Sequence, residues 1–172
     1  MGILFTLLGI IIFILIVALF VEKDYRIQRE IVINRPKSQV FSYLKFLQNQ
    51  DNFSKWVMVD PAMRKTFKGI DGTVGAAYAW EGNKKAGKGE QEIKKITEGE
   101  RIDIEIRFEK PMKSVAQVAF VTTTVTENQT KVAWVMNGRS EYPMNIMTAV
   151  MKGILGKDME TSLQTLKTIL ER

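Results

Sequence analysis

The chain has 172 residues, 25 Lys and Arg against 19 Asp and Glu (formal net charge +6), and neither Cys nor His. Disulfides and thiolate chemistry are thereby excluded, as are Ser-His and Cys-His catalysis; a zinc site is nearly so, because the commonest metal ligand is missing. The basic residues form no run and no nucleic-acid-binding motif, so neither nucleic acid nor a metal or cofactor is expected as a partner.

Residues 1–21 carry no charged side chain, and every Lys, Arg, Asp and Glu follows them. A helix of this length spans a hydrocarbon core of about 30 Å, and Ile10 to Val17 is apolar on every face. The competing reading, a cleaved signal peptide, lacks a basic n-region and small residues at the exit through Leu19-Phe20-Val21. Residues 1–22 are therefore expected to be a transmembrane anchor and 23–172 one folded domain. Lys23, Arg26 and Arg29 follow the span and no basic side chain precedes it, so the positive-inside rule predicts a cytoplasmic domain.

Tyr25 to Ile33 alternates as a strand with Ile27, Ile31 and Ile33 inward; Arg29 shares their side, as an edge residue or a buried charge. Asn34-Arg35-Pro36 ends it, and Val40, Phe41, Leu44 and Leu47 stripe a helix. A second short helical stretch covers Gln50 to Lys55, and Trp56 ends it. Six strands are expected next. The first is Arg64 to Lys68; the second sets Val74, Ala76, Tyr78 and Trp80 on one face; the third runs from Gly87 to Ile96 with Gly89, Gln91 and Ile93 inward. In the fourth, Ile102, Ile104, Ile106 and Phe108 alternate with Arg101, Asp103, Glu105, Arg107 and Glu109, the mark of an antiparallel sheet with one solvated face. Val115 to Thr126 and Thr130 to Gly138 form the last pair, with Val132, Trp134 and Met136 on one side.

The period then changes to about 3.6. Pro143 opens a helix in which Met147, Val150, Met151, Ile154, Met159, Leu163, Leu166 and Leu170 trace one stripe. Gly153 and Gly156 interrupt it, each costing about 1 kcal/mol relative to alanine. They are either tolerated or admit a kink or the close approach of a ligand or strand. A seven-stranded meander curls, and one amphipathic helix is available to cover its concave side. The expected class is α+β, a helix-grip fold in which a curved antiparallel sheet wraps a long C-terminal helix.

Several segments in this order resemble the START-like (SRPBCC, helix-grip) superfamily, and within it the bacterial polyketide cyclase/dehydrase-like proteins. They are Ile31-Val32-Ile33-Asn34-Arg35-Pro36 with Val40-Phe41; Phe53-Ser54-Lys55-Trp56; Gly75 to Trp80 with Gly82-Asn83; Gly87-Lys88-Gly89; Thr130 to Trp134; and Gly156 to Glu160. Arg35 departs from the small residue usual before the proline. The resemblance covers about residues 25–172, and it implies an internal cavity between sheet and helix. Together with the anchor it implies a single-pass protein of a bacterial inner membrane.

A cyclase or dehydrase needs a general acid or base near an enolisable substrate. Glu81, Glu90, Glu92, Asp103 and Glu105 all alternate outward, leaving Tyr78 the best placed inward group, so no catalytic residue is assigned. Binding of an apolar molecule fits the inward set better: Trp56, Tyr78, Trp80, Phe108, Phe120, Trp134, Met136, Met147 and Met151 are expected to line the cavity. The predicted function is a membrane-anchored binding protein for a hydrophobic small molecule or lipid. The alternatives are a polyketide cyclase/dehydrase-like enzyme and a protein-interaction module.

Overall fold

The computed structural model describes residues 2–172. Helix α1 (Gly2–Phe20) is uncharged and about 28 Å long at about 1.5 Å per residue. It is long and apolar enough to cross a membrane, and nearly all of it stands clear of the rest of the chain. Strand β1 (Asp24–Ile33) follows, then α2 (Lys37–Leu44), a 3-10 turn (Leu47–Asn49) and two single-turn helices, α3 (Gln50–Phe53) and α4 (Lys55–Met58). Strands β2 (Arg64–Lys68), β3 (Ala77–Glu81), β4 (Lys88–Thr97), β5 (Arg101–Lys110), β6 (Ser114–Thr126) and β7 (Gln129–Arg139) come next. A 3-10 turn (Met144–Met147) leads into α5 (Thr148–Leu170).

The seven strands form one antiparallel sheet in the order β1-β7-β6-β5-β4-β3-β2. Only β1 is out of sequence, closing the sheet beside β7. Register fixes rows across the concave face. One row runs Arg29, Trp134, Phe120, Ile102; another runs Tyr25, Gly138, Ala116, Ile106, Gln91, Tyr78. In β4 the alternation Gly89, Gln91, Ile93 is broken by a bulge between Ile93 and Lys95, so that Ile96 rather than Lys95 packs on the core. Lys94 and Lys95 both reach water.

At the end remote from α1, Val40, Phe41 and Leu44 of α2 bury their apolar stripe under the sheet. Helix α5 runs parallel to β1: Glu160 pairs with Arg29, Lys167 Nζ donates to Val32 O, and Glu171 accepts from Asn34 N. The structure divides the expected single stripe of this helix in two. Met159, Leu163 and Leu166 are buried against sheet and α3, whereas Met147, Val150, Met151 and Ile154 are exposed.

Arg29 resolves as a residue of the helix–strand seam. Its guanidinium crosses α5 at Gly156, where an added Cβ would stand 2.8 Å from Cζ and closer still to Nη2. Gly156 thus admits the close approach of a strand residue. Nothing lies within 4 Å of a Cβ added at Gly153.

Candidate ligand-binding face

The concave face is apolar because β3, β5, β6 and β7 each turn an alternating apolar set toward α3 and α5. Tyr78, Phe120, Trp134 and Met136 lie within the buried cluster, and Trp56, Trp80 and Phe108 pack at its margin half-exposed. Met147, at the end of the 3-10 turn, and Met151, in the first turn of α5, stand outside it and are exposed. Of the nine expected lining residues, the structure therefore gathers seven.

Phe53 of α3 packs against two of them, with its ring centroid 6.3 Å from both Phe120 and Trp134. Trp56 packs edge-on against Trp134 at 5.3 Å. Its Nε1 donates to Asp158 Oδ2 at 3.2 Å, while Lys55 Nζ pairs with Oδ1 of the same carboxylate. Asp158 so fixes α4 and its tryptophan on α5, a role that no periodicity in the sequence announces. On the far side Trp80 lies over Gly89, where an added Cβ would come within 2.6 Å of the indole. Trp80 meets Phe108 edge-on at 5.9 Å and donates to Ala86 O at 3.0 Å. The register pairs Gly89 with Phe108 and Phe108 with Ser114, so this aromatic rim lies at the end of the sheet nearest α1.

Polar atoms inside this apolar face are few and incompletely matched. Gln91 Nε2 donates to Gln50 Oε1 at 3.2 Å. Beside Gln91 in the register, the Tyr78 hydroxyl is buried with no partner in the protein, as are Trp134 Nε1 and Asp51 Oδ1. A buried, unmatched donor is costly, and native proteins seldom keep one without a use. Burial, and after it the charge of Asp51, push the Tyr78 hydroxyl well above the ordinary phenol range. It is held protonated and can donate a hydrogen bond to a ligand oxygen. Lys65 pairs with Asp51 Oδ2 at 2.8 Å and lies 6.0 Å from the Tyr78 ring centroid.

The convex face is of opposite character. Arg107 donates to Glu90, Glu92 and Glu105 and so holds the first two carboxyls below their usual range. An open groove of about 500 Å³ lined by Arg64, Glu81, Glu90 and Arg107 lies there, and one of about 630 Å³ beside Glu22, Arg26 and Lys152 lies at the foot of α1. Among the described residues no cluster of three or more His, Cys, Asp or Glu could hold a metal ion.

A curved sheet gripping a C-terminal helix over an apolar concave face defines a helix-grip protein. The chain belongs to the polyketide cyclase/dehydrase and lipid transport family, whose model matches residues 24–171. No curated protein matches it significantly. Among solved structures it is similar to protein CV1439 from Chromobacterium violaceum (14% identity, 86% of this chain and 97% of that one, TM-score 0.62). It is also similar to the Aha1 dimer from Colwellia psychrerythraea (17% identity, 86% and 96%, TM-score 0.58). A third is norcoclaurine synthase from Thalictrum flavum in complex with dopamine and hydroxybenzaldehyde (6% identity, 86% of each chain, TM-score 0.66). At these identities the likeness is one of fold.

Proposed function

We propose that this chain is a membrane-tethered binding protein for a hydrophobic small molecule or lipid that carries at least one hydrogen-bond acceptor. The observation that carries the reading is the pair of orphaned donors, Tyr78 Oη and Trp134 Nε1, buried in an otherwise apolar concave face. A ligand inserted between sheet and α5 would satisfy them and be oriented by them, the usual division between apolar lining and a few fixed polar groups. The lipid-transport description of the family and the position of the Trp80–Phe108 rim near α1 support the same reading. The anchor, residues 1–22, would hold the rim of the domain, residues 23–172, beside the bilayer, where an apolar ligand need not cross water.

Buried side chains pack between the sheet and α5, so uptake requires α4 or the first half of α5 to give way. The single turn of α4, held to α5 by Asp158, is the element that can do so at least cost. A brominated fatty acid titrated into the full chain in detergent tests the reading. It should quench tryptophan emission along a saturating one-site curve, and Tyr78→Phe should weaken that curve. Linear, non-saturating quenching identical in both proteins refutes it.

The enzymatic alternative rests on the grouping of Tyr78, Asp51 and Lys65, a protonated phenol beside an ion-paired carboxylate. It would need an enolisable ligand whose oxygen meets the Tyr78 hydroxyl.

A further inference from the structure

Helix α5 and the turn that leads into it carry two apolar stripes in series, and the fold covers only the second. Met159, Ser162, Leu163 and Leu166 recur at i, i+3, i+4 and i+7 and are buried. Met147, Val150, Met151 and Ile154 recur at the same spacing, yet are 45, 55, 44 and 53% exposed. Equivalent members of the two sets, Met147 and Met159, are twelve residues apart. Twelve steps of about 100° set the stripes about 120° apart around the axis, so the first cannot enter the core that buries the second. Four exposed apolar side chains on one face form a contiguous patch rather than scattered surface residues.

The position of the patch indicates what covers it. Asn145, fully buried, donates through Nδ2 to Ala18 O at 2.7 Å, in the last turn of α1, and to Val21 O at 2.8 Å, just beyond it. Ser140 N donates to Lys23 O at 2.8 Å in the same junction. The stripe thus starts two residues beyond a clamp on the foot of α1. The β5–β6 connection, Lys110-Pro111-Met112-Lys113, emerges at this end of the sheet too, with Met112 exposed between two exposed lysines.

We infer that Met147, Val150, Met151 and Ile154 form an interfacial membrane-contact surface: the first half of α5 beds into the headgroup–acyl boundary of the bilayer that α1 spans. The inference rests on the reading of α1 as a membrane anchor. Asn145 joins the two helices so that the stripe faces lipid, and the lysines flanking Met112 suit anionic headgroups. Apolar area on one face and basic groups beside it are the features that bind such a helix in the membrane plane.

The absence of native cysteine allows single-site labelling of the full chain. Met151→Cys and Ile154→Cys, with Ile12→Cys inside α1 and Thr124→Cys at the remote end of the sheet as references, each receive an environment-sensitive fluorophore. The proteins are reconstituted in phosphatidylcholine vesicles containing phosphatidylglycerol. Brominated lipids should quench labels at 151, 154 and 12 several-fold more strongly than at 124. If 12 is quenched while 151 and 154 behave as 124 does, the contact surface is refuted and the anchor stands. If 12 is also unquenched, anchor and surface fail together. If 151 and 154 resist brominated lipid but show energy transfer between differently labelled chains, a second copy covers the stripe and the inference is overturned.

Discussion

Gly153 and Gly156 lie one turn apart in α5, and alanine should have opposite consequences at the two sites. Replacing a helical glycine by alanine gains roughly 0.5–1 kcal/mol from lost chain entropy in the unfolded state and better helix propensity. At Gly153 an added Cβ meets nothing within 4 Å, so that gain should appear in full. At Gly156 the same Cβ displaces the Arg29 guanidinium, whose Nε donates to Glu160 and whose Nη1 donates to Gln28 O at 2.8 Å. The side chains of that ion pair are 34 and 60% exposed, so breaking it costs only about 0.5 kcal/mol after screening. Reseating the guanidinium at a buried glycine adds a comparable amount. The expectation for Gly156→Ala is a net change near zero or slightly destabilising. In an Arg29→Ala background the obstacle is gone and Gly156→Ala should regain about 1 kcal/mol. For a chain of this size 1 kcal/mol is about 2–4 °C in Tm, within reach of thermal unfolding followed by tryptophan fluorescence in detergent. If Gly156→Ala stabilises as much as Gly153→Ala in both backgrounds, the assigned role of Gly156 is wrong.

Tyr78→Phe removes an orphaned buried hydroxyl and should raise the stability of the ligand-free protein by about 1 kcal/mol, measured as the urea midpoint, while weakening capture of brominated fatty acid. Arg107 depresses the folded-state pKa of Glu90 and Glu92 below their ordinary value of 4.5, so their contribution to stability is complete above about pH 4.5 and is lost as pH falls through the folded value. Arg107→Met removes the largest cause of that depression and leaves Lys68 beside Glu90 and Lys94 beside Glu92. The loss of stability as the pH falls below about 4.5 should then be smaller, seen as a flatter acid-side slope of urea midpoint against pH. Asp158→Ala frees Lys55 and Trp56, and a red shift in emission with faster proteolysis near residue 56 should follow.

Strand β5 was fully legible, since Ile102, Ile104, Ile106 and Phe108 against charged neighbours leave one way to face a core. The helix-grip architecture followed from such strands and from the change of period at Pro143. The division of α5 was less visible. Eight apolar residues read as one stripe because nearly every local step fits a 3.6-residue period, and the step from Ile154 to Met159 carries the break. The bulge in β4 hid in the same way, as an extra residue between Ile93 and Ile96. Tyr78 could be placed inward by parity, but the lack of a partner for its hydroxyl depends on three-dimensional packing. Asn145 could not have been found from pattern. Its partners are backbone carbonyls more than a hundred residues away, and any sequence would supply carbonyls there. Arg29 falls on the apolar side of β1 by parity, and only the structure shows Gly156 as the reason it fits.

The central claim is that an apolar molecule inserts between the sheet and α5. Native mass spectrometry of the full chain, released into mild detergent from the membranes of the cell that makes it, tests this most directly. The account predicts one defined apolar molecule per chain that survives detergent exchange and is diminished in Tyr78→Phe. The bare chain mass, or a spread of bulk lipids unchanged by that substitution, would contradict it.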